Sequence, residues 1–422
     1  MLYYIRYFVT EVFHMDILVV NAGSSSLKYQ LIDTKTEVVA AKGICERIGT
    51  DGSLIDHKQV VKGLKLKENC PIKNHTEAMA LVVKTLLDPT YGCITSMDQI
   101  EAVGHRIVHG GPYFSQSILL SDEVLNTLRK CYDFAPLHTG AHIQGIEGCL
   151  AVMPDKPQVL VFDTAFHQTM LPEAYMYALP YELYEKYAVR RYGAHGTSHR
   201  FVTAEMTRIL GRVEGTKIVT CHIGNGSSIS AVKDGKVMDT SMGFTPLAGV
   251  EMGTRCGDID PAIVPYMMEK LNLSTAEVGD LMNKKSGFLG IAGFSSDSRD
   301  LEDAIANGPS DPHYERSNLA VNILKLQIKK YIGAYTAEMN GLDAVVFTAG
   351  IGENNPHLRE IVCDDMDYFG IEINKELNAK MLRQPNIIKL STDRSKVAVY
   401  LIPTNEELMI ARDTEALVRG QL

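Results

Sequence analysis

A short repeated pattern does most to limit what this chain can fold into. The segment DILVVNAGSSSLKYQLID, from Asp16, reads as a strand, a small-residue turn and a second strand. KIVTCHIGNGSSISAVKDGKVMDT, from Lys217, repeats that grammar, so Gly23-Ser24-Ser25 recurs as Gly226-Ser227-Ser228 between two β-rich runs. An internal repeat of this kind implies two related α/β halves, each opening with a hairpin tipped by glycine and serine. The 422 residues leave room for two or three domains at roughly 150 residues each.

Between the hairpins, strand patterns (Ala102 to Val108, Val159 to Phe162) alternate with helical ones such as His75 to Leu87. Later, Asn318 to Met339 reads as a longer helical stretch, with Leu319, Ile323, Leu326, Ile332 and Met339 on roughly one face. DAVVFTAGIGENN runs from strand into glycine turn and helix. The chain closes with a strand and a helix whose N-cap is Thr404 or Asn405.

Acids outnumber bases, 51 to 42, and no basic run stands out, which argues against nucleic acid or an anionic membrane surface as partner. No apolar run approaches the ~18 residues of a membrane span. The eight cysteines show no C-x-x-C spacing and read as reduced, mostly buried thiols of a cytoplasmic protein. Met1 to His14 lacks a small-residue cleavage site and reads as an appendage or an upstream start, with activity expected to survive a start at Met15.

Three turns are rich in backbone donors: Asn21 to Ser26, His222 to Ser228 and Gly350 to Asn355. Glycines let N–H groups approach a phosphate closely, and hydroxyls add donors without bulk. With no G-x-x-x-x-G-K-S/T and no G-x-G-x-x-G opening a helix, phosphate binding here would use hairpins rather than a P-loop. Arg106 in GHRIVHGG and Arg255 in GTRCGDIDP sit among glycines, where a planar fork suits carboxylate or phosphoryl oxygens. The alternative is an ion pair tying the loop down, with Asp258 or Asp260 as partner.

Histidines recur at i, i+4 in three places: His105/His109, His138/His142 and His195/His199. Glycine within or against each pair argues against the helix that such spacing needs to ligate zinc. His195 reads better as a donor to a developing anion, and His199 as a structural ring bonded to backbone. Asp163 follows the apolar strand VLVF, at the end where α/β proteins place ligands. Glu406 and Glu407 start the last helix, where the dipole favours acids. Magnesium needs only one or two carboxylates besides phosphate and water, a sparse requirement that this sequence fits.

Taken in order, VVNAGSSSLKYQL, GHRIVHGG, APLHTGAH, VFDTAFHQTM, RRYGAHGTSHR, CHIGNGSSIS, DTSMGFTPL, GTRCGDIDP, FTAGIGEN and IPTNEEL resemble the acetate kinases and their close relatives, the propionate kinases, from Asp16 to the C-terminus. The resemblance implies the fold of the sugar kinase, chaperone ATPase and actin superfamily: α/β, with two duplicated actin-like (ribonuclease H-like) domains and a nucleotide cleft between them. It places the first domain at 15–165 plus 403–422, on the acyl and magnesium side, and the nucleotide domain at 166–402.

Carried over by motif, Asn21 and Glu406 would hold Mg²⁺, with Mn²⁺ as a substitute, and Lys28 would contact ATP. Arg106 would bind the substrate carboxylate or phosphoryl group, and Val108, Leu137 and Pro246 would line the pocket for the acyl methyl group. Asp163 matches the family's catalytic aspartate, and His195 and Arg255 its transition-state stabilisers. ATP or ADP would lie against His222, Ile223, Gly224, Asn225 and Gly226, then Asp297, Ser298 and Arg299, and finally Gly350, Ile351, Gly352, Glu353 and Asn354. The implied reaction is reversible phosphoryl transfer between ATP and acetate, giving acetyl phosphate and ADP, in a cytoplasmic homodimer. Propionate or a broader range of short carboxylates is the alternative substrate. An ATP-hydrolysing relative and a non-catalytic nucleotide switch are alternative classes, and the switch would leave Arg106, Arg255 and His195 without a purpose.

Two departures stand out. Thr139-Gly140 replaces the usual Asn-Pro beside Leu137 and His138, which frees a fixed φ and raises the cost of ordering what reads as a loop. Ala248 stands where an acid is common, with no assignable effect. AGIGEN is intact, which favours ATP over pyrophosphate as donor.

Overall fold

A computed structural model describes residues 15–382 and 385–421; the expected appendage, 1–14, lies outside them. The strands are β1 Asp16–Gly23, β2 Ser26–Asp33, β3 Val38–Glu46, β4 Leu54–Gln59, β5 Leu64–Asn69, β6 Ala102–Ile107, β7 Ile118–Leu119 and β8 Gln158–Phe162, then β9 Lys217–Ile223, β10 Ser227–Lys233, β11 Lys236–Thr240, β12 Ala344–Thr348, β13 Ile388–Lys389 and β14 Ala398–Leu401.

Among the described residues these strands form two sheets, ordered β5-β4-β3-β2-β1-β6-β8-β7 and β11-β10-β9-β12-β14-β13. Each contains the same unit. An antiparallel meander (β1-β2-β3 or β9-β10-β11) continues into two parallel strands (β6 and β8, or β12 and β14), closed by a short antiparallel edge. The duplication read from the hairpin tips is therefore a duplication of strand order, with β4 and β5 added to the first sheet.

Burial follows position in the sheet. β8 and β12 are buried along their whole length, as parallel strands covered on both faces are, whereas β4 alternates. The first core gathers Leu18, Val20, Leu27, Tyr29 and Leu31 against Met79, Val82 and Leu86 of the helix His75–Leu86. Gly104 of β6 lets the final helix, Glu406–Val418, lie on the sheet: a Cβ there would collide with Thr414 Oγ1 and stand 2.7 Å from Ile410 Cγ2. The second core packs the helix Tyr314–Glu338 against β9, β10 and β12 through Val321, Leu324, Ile328, Ile332 and Tyr335.

Several expectations need correction. The face read from spacing over Asn318 to Met339 is only partly the buried one: Ile332 and Met339 are buried, but Leu319 and Leu326 are about half exposed, at 53% and 51%. Both stripes of that helix are apolar, and contact with the sheet selects the one through Leu324 and Ile328. Thr139 and Gly140 lie inside the helix Pro136–Val152, not in a loop. Two of the i, i+4 histidine pairs do meet helices, and the His138 and His142 rings stack 6.2 Å apart.

The chain divides into two compact units. Among the described residues, one holds 15–108, Gln116–Phe162 and 407–421; the other holds His109–Ser115 and the described part of 163–406. The excursion His109–Ser115 joins the second unit because Gly110 N–H donates to Thr164 Oγ1 at 3.0 Å and the His109 ring packs edge-on against Tyr192. All eight cysteines are unpaired and five are buried. No helix among the described residues is long and apolar enough to cross a membrane.

Candidate active site

In the second unit, strand pairing brings the expected nucleotide segments together. β9 and β12 run parallel with His222 opposite Thr348, so the β9–β10 turn and the short helix Ala349–Asn354 start from the same sheet edge. A Cβ on Gly224 would lie 3.8 Å from Ala349 Cβ and 3.9 Å from Gly350 N. The third segment arrives through Gly253, whose N–H donates to Asn225 O at 3.1 Å and beside which stands Ser296 O, next to Asp297. Asp297 caps the helix Ser298–Ala306 and pairs with the exposed Arg299.

Within this edge two residues do internal work. Glu353 Oε1 accepts the N–H groups of Ala349 and Thr404, at 2.8 and 3.1 Å, and so holds an alanine whose φ is +66°. Arg359, fully buried and not singled out by sequence, donates to Gly352 O, Glu353 O, Met381 O and Asn378 Oδ1 at 2.8 to 3.0 Å. Its charge thus sits on the C-terminal carbonyls of the short helix, where a cation is favourable. Burial still pulls its pKa down to about 10.

His195 occupies the left-handed region, φ +57°, at the start of the helix Gly196–Leu210. Its Nδ1 meets Ser228 Oγ at 2.8 Å, and its ring stacks on His222 at 4.1 Å. His222 Nδ1 in turn meets Ser198 Oγ, which meets Thr404 Oγ1, both at 2.8 Å. His199 is bonded to side chains rather than backbone: Nδ1 to Thr220 Oγ1 and Nε2 to Ser228 Oγ, both at 2.7 Å. These partners escaped the sequence reading because a Thr or Ser within a strand carries no signal until pairing sets Ser228 opposite His222 and Ser230 opposite Thr220.

Gly226 closes this cluster. A Cβ on it would stand 3.3 Å from Arg255 Nη1 and 3.4 Å from His195 Nε2. Arg255 donates to Pro246 O at 3.2 Å, and burial lowers its pKa. The ion-pair alternative fails for Arg255 among the described residues: Asp258 accepts from Gly249 N–H and Tyr331 OH, and Asp260 from Ala262 N–H. Asp163, almost wholly buried, accepts the Thr197 hydroxyl at 3.2 Å, and its backbone oxygen accepts Gly196 N–H.

In the first unit, Asn21 and Lys28 are cross-strand partners on β1 and β2, and both line a cavity of about 480 Å³ with Lys42, Lys58, Asp56 and Glu407. The acid that the last helix brings to that cavity is Glu407, beside the expected Glu406. An amide oxygen and carboxylates are hard donors that suit a hard divalent cation completed by phosphate and water. Arg106 is the penultimate residue of β6 and lies near enough to His142 to help hold that buried ring's pKa down, behind the larger effects of burial and His138. Val108 N–H donates to His142 Nε2 at 3.3 Å, and Leu137 is in the first turn of Pro136–Val152.

Two sheets of one strand order, each opened by a glycine-serine hairpin, define a duplicated α/β protein of the ribonuclease H-like class. The sequence places it more narrowly: residues 16–412 match the acetokinase family, and the chain belongs to that family. The acetate kinase of Fusobacterium nucleatum is 53% identical over 405 residues, covering 96% of this chain and 100% of that protein. The crystal structure of Porphyromonas gingivalis acetate kinase superposes with a TM-score of 0.91 at 45% identity, covering 96% and 100% of the two chains. A propionate kinase structure from Francisella tularensis follows at 0.86 and 39%, covering 95% and 99%.

Proposed function

We propose that the chain is an acetate kinase, transferring a phosphoryl group reversibly between ATP and acetate to give acetyl phosphate and ADP. The observation that carries this reading is Gly226, whose lack of a side chain brings the nucleotide hairpin against Arg255 and His195 together. A carboxylic acid of this size is ionised at neutral pH, by analogy with side-chain carboxyls near pKa ~4, so the nucleophile needs no general base. Two anions must still approach each other. Arg106 binds and orients the carboxylate, while Arg255 and His195 donate to the equatorial phosphoryl oxygens as charge builds there. Asp163 orients the groups around it and is not assigned as a base.

The nucleotide lies along His222–Gly226, Asp297–Arg299 and Gly350–Asn354, with Lys28 on its phosphates. Asn21 and Glu406, with Glu407 lining the same cavity as Asn21, would hold Mg²⁺, which supplies charge neutralisation of the phosphates. By their motif match to the acetokinase family, Val108, Leu137 and Pro246 would line the acyl pocket. A homodimer is carried over from the family alone, and the cysteines, none of them disulfide-bonded, fit a cytoplasmic location.

Hydroxylamine trapping of acyl phosphate with ATP and Mg²⁺, across formate, acetate, propionate and butyrate, tests class and chain length together. Acetate should give the highest kcat/KM. Equal or better turnover of propionate would shift the reading by one methylene, a difference of only ~1–3 kcal/mol in an apolar pocket. Phosphate release independent of any carboxylate would sink the kinase reading.

A further inference from the structure

Behind His195 runs a chain of three buried side chains, each with two polar contacts: Thr220, His199 and Ser228. Thr220 Oγ1 has two neighbours able to accept its proton, His199 Nδ1 at 2.7 Å and Ser230 O at 3.5 Å. The second is at the outer limit for a hydrogen bond, so the hydroxyl donates to His199 Nδ1. His199 then carries its single proton on Nε2 and donates it to Ser228 Oγ at 2.7 Å. Ser228, its oxygen already accepting, has one place left for its own proton: His195 Nδ1, at 2.8 Å. His195 accepts there, and its remaining proton belongs on Nε2, the atom that faces Gly226 beside Arg255.

We propose that Thr220, His199 and Ser228 act as a positioning relay that fixes the neutral His195 ring as its Nε2–H tautomer, aimed at the phosphoryl group. The relay rests, for its purpose but not for its existence, on the reading of His195 as a donor to that group. It lets the ring donate without first becoming a cation, which matters because Arg255 stands beside it and His222 is stacked on it. The other groups around the cluster agree. His199 and His167, edge-on to each other at 5.7 Å, are both fully buried, and burial keeps both neutral at ordinary pH. Asp163 Oδ1 accepts the Thr197 hydroxyl at 3.2 Å, at the start of the same helix.

The test is histidine-selective ¹⁵N NMR of the full chain at mildly alkaline pH, with His195 and His199 signals assigned by their loss in His195→Asn and His199→Asn. Both rings should be Nε2–H. A proton on Nδ1 of either ring overturns the relay, whatever the enzyme does. Kinetics supply the second readout. Ser228→Ala should lower kcat about tenfold or more with KM for ATP within about threefold, and Ser228→Thr, which keeps the hydroxyl, should restore kcat. Unchanged kcat in Ser228→Ala also overturns it. If that variant fails to fold, Thr220→Val removes only the first donor, and its His199 ring should lose the strict Nε2–H form. Should the chain make no acyl phosphate while both rings are Nε2–H, the relay stands and the kinase reading falls.

Discussion

The Oε1 oxygen of Glu353 accepts the backbone N–H of Thr404 at 3.1 Å, joining positions 51 residues apart in the chain. The same oxygen accepts Ala349 N–H, so one carboxylate ties the short helix after β12 to the segment that precedes Glu406. Glu353 thus supports the edge along which the nucleotide is proposed to lie.

Glu353→Ala should therefore release Ala349 from a left-handed conformation that costs about 1–2 kcal/mol to hold, and raise KM for ATP about tenfold. Glu353→Gln keeps an acceptor at Oε1 and should stay within about threefold of the parent. Steady-state kinetics in both directions check this. A glutamine variant as impaired as the alanine one would mean that the negative charge, not the acceptor, is what matters.

Arg359 offers a sharper test of the same edge. Its guanidinium fork meets four separate acceptors at once, which the compact ammonium of lysine cannot reproduce. Arg359→Lys should cost ~3 kcal/mol and lower Tm by roughly 5–10 °C, measured by calorimetry. A Tm within a degree or two of the parent would show that the carbonyls find other partners.

What the sequence made legible was local. Hairpin tips announce themselves through glycine and serine within a few residues, so Asn21 to Ser26 and His222 to Ser228 could be read and their repetition gave the duplicated fold. The relay behind His195 was not legible, because Thr220, Ser228 and His199 become neighbours only when β9 pairs with β10 and a helix lies alongside. The buried face of Tyr314–Glu338 was legible only in part, for a different reason. Leu319 and Leu326 are as apolar as Leu324 and Ile328, and periodicity cannot rank two apolar stripes on one helix. Arg359 resembles any surface arginine in sequence; only its enclosure by carbonyls marks it.

Glu251 should make stability depend on pH. Its side chain is buried, neither carboxyl oxygen has a hydrogen-bond partner among the described residues, and burial pushes its pKa from the ordinary 4.5 up to about 8. Between those values the folded chain keeps a proton that the unfolded chain has released, so stability falls as pH rises, by at most ~1.4 kcal/mol per pH unit. The contribution is whole below 4.5 and gone above about 8. Glu251→Gln should flatten this slope in urea unfolding at about pH 5, 7 and 8.5, and gain most at the alkaline end. An unchanged slope would assign the pH dependence to other groups.

Arg255 should show activity and stability pulling apart. It is a half-buried cation without a carboxylate partner among the described residues, and desolvation already lowers its pKa. Such a charge is costly until an anion arrives, so an apolar side chain of similar length should be tolerated or even favoured in the ligand-free fold. Arg255→Met should keep or raise Tm while kcat drops about 10²-fold or more, as loss of a transition-state charge contact does. Arg106→Ala should lower kcat to a similar extent. The two measurements discriminate: a large fall in Tm would make Arg255 a structural anchor, and near-normal turnover at saturating ATP and acetate would remove it from the phosphoryl site.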